Sequence, residues 1–414
     1  MSKLFERKIV NSIIKYIDSQ KVIVIHGSRQ VGKTSIMKII MAKLESKKIS
    51  KENITYIDLE DFALLDLFNK GVKAVIDYLA GLKHNKNFRR YLFIDEIQYL
   101  DNPSGFLKLF NDNYSEQFQL IVSGSSSFKI ISKFKDSLVG RTVDFEVFGL
   151  DFEEYIEFNE LNYDLKNVKN EIMHRELSEY FINYVLYSNY PGIILEKDLD
   201  KKETYLKQII STYIKKDIKD ISNIKNIPKF NNLVRVLSEQ SSNLVNILEL
   251  SNSIGISRET IQEYLLILEN TYIIKFISPF YKKIRTELTK MPKIFFEDTG
   301  LMILLNYLGL IKKITGPVFE NSIYTILRKK FPVENIHYWR TNTGQEIDFI
   351  IEIKKEKYIA IEVKLNYNGQ SLVNLKSFLE KYKNVELYVI TLQKLKEIDS
   401  KSIKIIYPWE VGQI

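Results

Sequence analysis

From residue 1 to about 150, short β-branched apolar runs alternate with stretches of helical spacing. Runs at 21–26, 54–59, 91–95, 118–123 and 143–148 predict strands, with helices between them. This rhythm predicts an α/β fold, a mostly parallel sheet covered on both faces. From 151 to 228 the strand signal fades, and Phe152–Phe158 and 170–220 carry helical spacing broken at Tyr190-Pro191-Gly192, the pattern of a helical lid. From 229 to 310, amphipathic stretches Phe230–Leu237 and Asn246–Ser253 precede Gly255-Ile256-Ser257, a turn with a serine N-cap, and then the helical run Thr260–Leu268. Strand-like runs at 272–277 and 293–296 follow, so this unit predicts a winged helix-turn-helix. The last unit, 311–414, reads as a helix at 318–329, strands at 336–340, 346–351 and 357–364, a helix at 371–382 and a strand at 385–391.

The first strand runs into Gly27-Ser28-Arg29-Gln30-Val31-Gly32-Lys33-Thr34, followed by the helical run from Ser35, which completes strand, glycine loop and helix. This is the phosphate-binding P-loop. Gly27 and Gly32 let backbone N–H groups curl toward a phosphate, and the helix N-terminus adds partial positive charge. Lys33 reaches the β- and γ-phosphates, and the Thr34 hydroxyl is a Mg²⁺ ligand. The third strand ends in Asp95-Glu96, where Asp95 would organise the metal and Glu96 would activate water as general base. The fourth strand ends in Ser123-Gly124-Ser125, which offers Ser123 and Ser125 to the γ-phosphate.

In the last unit Asp348 interrupts an apolar strand, and Glu362 and Lys364, two apart, share a face of the next strand behind the helical Glu320. Asp, then Glu-x-Lys, is the layout of a metal-dependent phosphodiesterase; alternation on a half-wet strand gives the same letters.

Composition narrows the class. The 414-residue chain has no cysteine, which removes disulfides and thiolate metal sites and favours a cytoplasmic setting. No run is long and apolar enough to cross a bilayer, so no membrane partner is expected. The net charge of +8 suits contact with DNA, although lysine-rich usage also arises from genome composition. Lys282, Lys283, Arg285, Lys290 and Lys293 lie in or beside the wing loop, and Arg258 opens the second helix of the turn. They read as DNA phosphate contacts or as the surface of a protein-binding winged helix.

The chain resembles a widespread archaeal and bacterial family of AAA-type P-loop ATPases with a C-terminal region of uncharacterised function, containing a winged helix and a restriction-endonuclease-like fold. The resemblance rests on Gly27–Thr34, Phe93-Ile94-Asp95-Glu96, Ser123-Gly124-Ser125-Ser126, Leu138-Val139-Gly140-Arg141, Tyr190-Pro191-Gly192 and Gly316-Pro317-Val318-Phe319-Glu320-Asn321. Tyr338-Trp339-Arg340-Thr341, Glu346-Ile347-Asp348-Phe349 and Ile361-Glu362-Val363-Lys364 complete it. It implies ATP as the nucleotide with Mg²⁺, and Arg141 as an arginine finger on the γ-phosphate, in its own chain or across a homo-oligomer boundary; a plain salt bridge is the alternative for Arg141. The expected activity is ATP hydrolysis coupled to a DNA-contacting C-terminal half. The rivals are an ATP-regulated nuclease using Glu320, Asp348, Glu362 and Lys364, and a non-catalytic ATP switch holding a protein partner.

Overall fold

The computed structural model describes residues 4–86, 88–125, 138–168, 170–212, 224, 226–281, 291–341, 343–367, 378–394 and 403–414. Two compact units account for the chain. The first comprises residues 1–149 with 212–223 and 270–272; the second comprises 150–211, 224–269 and 273–414.

In the first unit α1 (Lys8–Ile14) precedes β1 (Val22–Gly27) and α2 (Lys33–Ser46). Next come β2 (Ile54–Asp58), α3 (Phe62–Asn69), α4 (Val72–Gly81), β3 (Arg90–Asp95), α5 (Pro103–Tyr114), β4 (Phe118–Ser125) and β5 (Thr142–Val147). All five strands run parallel, in the order β2-β3-β4-β1-β5. β3 and β4 are buried along their whole length, which is why they read as unbroken apolar runs. Alternate positions Val22, Val24, Leu92, Ile94, Leu120 and Val122 join one core with Phe68, Val75, Leu79, Leu107 and Phe110 from α3, α4 and α5. Local chemistry fixes the helix starts: the Asp61 side chain accepts from the N–H groups of Ala63 and Leu64, and Asn102 caps α5 ahead of Pro103.

The second unit begins with α6 (Phe152–Phe158), opened by a capping box between Asp151 and Glu154. Helices α7 (Glu171–Leu186), α8 (Pro191–Leu195) and α9 (Leu199–Thr212) follow, although the last residue of α9 falls with the first unit. The Tyr190-Pro191 break proves to be a helix start, with Pro191 at the first helical position. Then come α10 (Ile227–Glu239), α11 (Ile247–Ile254) and α12 (Arg258–Asn270). Gly255 ends α11 with a left-handed φ of 71°, and Ser257 Oγ accepts from Thr260 N at 3.2 Å, as the turn chemistry predicts. Strands β6 (Ile274–Ile277) and β7 (Lys293–Phe296) pair antiparallel. After α13 (Thr299–Tyr307) and α14 (Gly316–Lys330) comes a mixed sheet of β8 (Ile336–Arg340), β9 (Glu346–Lys354), β10 (Lys357–Lys364), β11 (Val385–Thr391) and β12 (Ile403–Ile406). Its order is β12-β11-β10-β9-β8, antiparallel from β8 to β10 and parallel from β10 to β12. β12 is an addition to the predicted order; at four residues it is too short for its period to show in the sequence.

Of the cations in or beside the loop between β6 and β7, Lys282, Lys283, Arg285 and Lys290 lie outside the described residues, as do Ser126 and most of the predicted helix at 371–382. Lys293 corrects the expectation of an exposed DNA contact. It is 2% exposed, because β7 turns it inward onto carboxylates.

Candidate functional site: the P-loop and the strand ends facing it

The P-loop spans the exit of β1 and the first turn of α2. Gly32 stands at the N-cap of α2 with φ 94°, a left-handed conformation that favours glycine. A Cβ on Gly27 would lie 2.1 Å from the carbonyl oxygen of Val147 on the neighbouring strand, so β1 and β5 close together only with glycine there. The buried Arg7 braces the loop: Nη1 donates to the Val31 carbonyl at 2.8 Å and Nη2 to the Phe148 carbonyl at 2.9 Å. Nothing in the spacing of the sequence marks Arg7, since its partners are backbone carbonyls 24 and 141 residues away.

Lys33 is buried, and its Nζ donates to the carbonyls of Gly27 at 3.0 Å and Ser28 at 2.9 Å. The ammonium therefore lies inside the curl of the loop. Ser28 is also buried, Arg29 and Thr34 are half-buried, and Gln30 and Ser35 are exposed. Thr34 Oγ1 donates to Asp95 Oδ2 at 2.6 Å. The hydroxyl of Tyr56, from β2, donates to the same oxygen at 2.8 Å, and Ser123 Oγ, from β4, donates to Asp95 Oδ1. Burial and Asp95 together push the Tyr56 phenol well above its ordinary range. Tyr56 looks in the sequence like one more apolar strand residue, and its role appears only when β2 and β3 pair in register.

Glu96 follows in a left-handed conformation, φ 56° and ψ 47°, sparsely populated for a residue with a Cβ. Gln98 Nε2 donates to Glu96 Oε2 and, at 3.0 Å, to Ser125 Oγ. Gln98 thus ties the end of β3 to the end of β4. The sequence reading passed over it because a glutamine after an acidic strand end has no distinctive spacing.

These residues fit Mg²⁺ and a nucleoside triphosphate. Thr34 and Asp95 are a hydroxyl and a carboxylate already in contact, the hard oxygen donors that Mg²⁺ prefers, and Lys33 sits where a phosphate chain would be cradled. When bound, the metal would supply positive charge to the β- and γ-phosphate oxygens.

For its own chain, the expectation that Arg141 reaches the γ-phosphate is corrected. It precedes β5, its carbonyl accepts from Val22 N at 2.9 Å, and Val22 pairs with Thr142 at the start of the parallel β1 and β5. The P-loop leaves the other end of β1, after Gly27. Five residues of strand, roughly 17 Å at ~3.3 Å per residue, separate Arg141 from the loop of its own chain. Its guanidinium Nε donates to Asp112 Oδ1 at 2.6 Å and Nη2 to Asp112 Oδ2 at 3.2 Å. Within one chain Arg141 is a salt-bridge residue.

A second cluster lies in the mixed-sheet unit. Here the structure brings Glu320, Asp348, Glu362 and Lys364 together. Lys364 Nζ lies 2.8 Å from Glu362 Oε2 and 3.7 Å from Asp348 Oδ2, and Asp348 Oδ2 accepts from Val363 N at 2.8 Å. Glu320 pairs with Lys293 Nζ at 3.0 Å, and the same ammonium holds Glu346, which also meets Arg340 at 3.3 Å. Burial and Asp348 push Glu320 up to about 8 against the pull of Lys293. Burial and Asp348 likewise push Glu362 up to about 7, with Lys364 opposing. Burial pulls Lys293 down, but Glu320, Asp348 and Glu346 together outweigh it and raise it. The four groups thus form one network of close acids and lysines, and no group of three or more acids or histidines arranged to hold a metal occurs among the described residues.

A parallel sheet with a P-loop at the end of β1 and an acid pair two strands away defines a P-loop nucleotide-binding protein. Residues 19–156 match the model of an AAA domain, and residues 178–312 and 315–410 match two domains of unknown function, DUF8612 and DUF4143. The chain thus carries an AAA-type P-loop domain in its first unit and a DUF4143 region at its C-terminal end. An uncharacterised protein of Methanocaldococcus jannaschii is 27% identical over 406 residues, covering 96% of this chain and 85% of the relative. An uncharacterised protein of Haemophilus influenzae is 24% identical over 409 residues, covering 96% of each. Among solved structures, a Walker-type ATPase of Pyrococcus abyssi overlaps 73% of this chain and 95% of its own, at 13% identity and a TM-score of 0.44. DnaA of Aquifex aeolicus, solved with AMPPCP, overlaps 63% of this chain and 86% of its own, at 19% identity and a TM-score of 0.28.

Proposed function

We propose that this protein binds and hydrolyses ATP with Mg²⁺. The observation that carries the reading is the contact between Thr34 and Asp95, 2.6 Å apart, beside a buried Lys33. Lys33 and the N–H groups of Gly27–Ser35 hold the phosphates, Thr34 and Asp95 hold the metal, and Glu96 takes the proton of the attacking water. Ser123 and Ser125 stand at the end of β4, between the P-loop strand and the acid strand, and Ser125 shares Gln98 with Glu96. The test is phosphate release by wild type, Lys33→Ala and Glu96→Gln; equal rates in all three exclude the reading.

The fold does not fix what ATP turnover drives. Coupling to DNA through the three helices and hairpin at 227–296 rests on that winged-helix order, on the exposed Arg258 and on the net charge of +8. Binding of a DNA duplex that weakens steeply with salt supports it, and salt-independent or absent binding favours a protein partner instead.

A second reading, metal-dependent nuclease chemistry in the DUF4143 region, is favoured by the convergence of Glu320, Asp348, Glu362 and Lys364. Plasmid cleavage with Mn²⁺ or Mg²⁺ that disappears in Asp348→Ala supports it; cleavage that survives that substitution places the activity elsewhere.

A further inference from the structure

Arg29 is the P-loop residue to which the proposed chemistry gives no task of its own. It follows Ser28, whose carbonyl accepts from Lys33 Nζ, and with Gln30, at φ 62°, it forms a turn within the loop. Arg29 is half-buried, and its guanidinium meets the hydroxyl of Tyr99, in the short helical turn Ile97–Tyr99 that follows Glu96. Burial and Glu60 push the Tyr99 phenol up, and the Arg29 guanidinium opposes them.

Tyr99 in turn donates to Glu60 Oε1 at 3.2 Å. Glu60 comes just after β2, where Leu59 N donates to the Asp95 carbonyl at 3.2 Å and joins the ends of β2 and β3. Glu96 is also close enough to act on the Tyr99 phenol. Arg29, Tyr99 and Glu60 therefore gather at the sheet end that carries Asp95 and Glu96. In the ATPase reading this is the γ-phosphate end of the site, because the metal bridges the β- and γ-phosphates and the general base faces the attacking water. Arg141, the expected source of positive charge there, lies at the other end of β1 in its own chain. A phosphate oxygen offers a guanidinium a charge-assisted hydrogen bond, about twice as strong as one to a neutral phenol.

Resting on the ATPase reading, we propose that Arg29 is the arginine finger of its own site, turning from Tyr99 onto the γ-phosphate and balancing the negative charge that builds there during hydrolysis. In that step the water oxygen bonds to the γ-phosphorus and its proton passes to Glu96. The bond from the γ-phosphorus to the bridging oxygen breaks, and ADP leaves with the electron pair. Arg29 neither gains nor loses a proton; its planar fork meets the oxygens on which charge accumulates.

The test compares wild type, Arg29→Ala, Arg29→Lys and Tyr99→Phe in the full chain. Phosphate release is measured beside calorimetric titration with ADP and Mg²⁺, without and with aluminium fluoride, which mimics the phosphoryl group in transfer. Arg29→Ala is expected to lower kcat at least about a hundredfold with KM for ATP changed less than about threefold. It keeps ADP affinity within about twofold and loses at least about tenfold in affinity for ADP with aluminium fluoride. Arg29→Lys, which keeps the charge without the fork, falls between Arg29→Ala and wild type. Tyr99→Phe removes only the partner in the nucleotide-free chain and stays within about threefold of wild type throughout. If Arg29→Ala is unfolded by circular dichroism, Arg29→Lys decides by the same measurements. The proposal is overturned if the folded variant hydrolyses ATP as wild type does, if ADP alone is weakened as much as ADP with aluminium fluoride, or if Tyr99→Phe reproduces the losses, the mark of a structural anchor. If wild type binds nucleotide without turning it over, the aluminium fluoride affinities decide alone. If wild type binds no nucleotide, the ATPase reading itself falls and this inference falls with it.

Discussion

Thr34 Oγ1 donates to Asp95 Oδ2 across 2.6 Å, joining the first turn of the P-loop helix to the end of a strand that is not its neighbour in the sheet. β4 intervenes and contributes Ser123 to the other oxygen of Asp95. The acid is therefore held by hydroxyls from three elements, Thr34, Tyr56 and Ser123, before any metal arrives. Such pre-organisation separates binding from chemistry. Glu96→Gln is expected to keep ATP affinity within about threefold while turnover falls roughly 10²- to 10⁴-fold, the range for loss of a general base. Lys33→Ala is expected to lose affinity itself. Fluorescent nucleotide binding beside phosphate release checks both, and a Glu96→Gln variant that turns over normally removes the general-base role.

Gln98 is the next residue to alter. It holds Glu96 and Ser125 at once, so Gln98→Ala frees the Glu96 carboxylate without touching the P-loop. Turnover is expected to drop about tenfold with KM for ATP changed less than threefold, the signature of a positioning residue. A change in KM alone would place Gln98 in substrate binding instead.

Gly27 tests the packing of the loop. Gly27→Ala sets a methyl 2.1 Å from the Val147 carbonyl, and relief requires β1 and β5 to separate. A loss of about 3 kcal/mol in urea unfolding of the first unit is expected. Gly140→Ala serves as the control, because among the described residues no atom beyond its chain neighbours lies within 4 Å of its Cβ position and the strain comes from φ 78°.

The pH dependence follows from Glu320. Its folded-state pKa of about 8 lies above the ordinary 4.5, so between those values the folded chain retains a proton that the unfolded chain releases. Stability from this group is full below about 4.5 and is lost as pH rises through about 8. The urea midpoint of wild type is expected to fall from pH 5 to pH 9, and Glu320→Gln, which stays neutral, flattens the fall. An unchanged slope in the variant would show that Glu320 does not carry the effect.

Arg141 offers a test of assembly. Its ion pair with Asp112 is partly exposed and lies at the far end of β1 from the P-loop, so Arg141→Ala is expected to change turnover less than twofold in a monomer. A loss of a hundredfold or more would mean that Arg141 reaches the site of a neighbouring copy, and turnover would then depend on protein concentration.

The sequence by itself determined the parallel sheet, the P-loop and the acid pair. Their signals are local: β-branched runs give strands, glycines at fixed spacing give the loop, and a strand must end before Asp95-Glu96. Glu320, Asp348, Glu362 and Lys364 were also legible as a set, because residues two apart on a strand share a face. Tertiary structure alone decided which partners those groups have. Arg7, Tyr56 and Gln98 act on residues brought near by sheet order, and Lys293 was inverted from surface cation to buried counter-ion by the pairing of β7. The position of Arg141 at the wrong end of its strand also depends on register. Register and strand order are set by packing between segments far apart in the chain, and the period of any one segment carries no record of them.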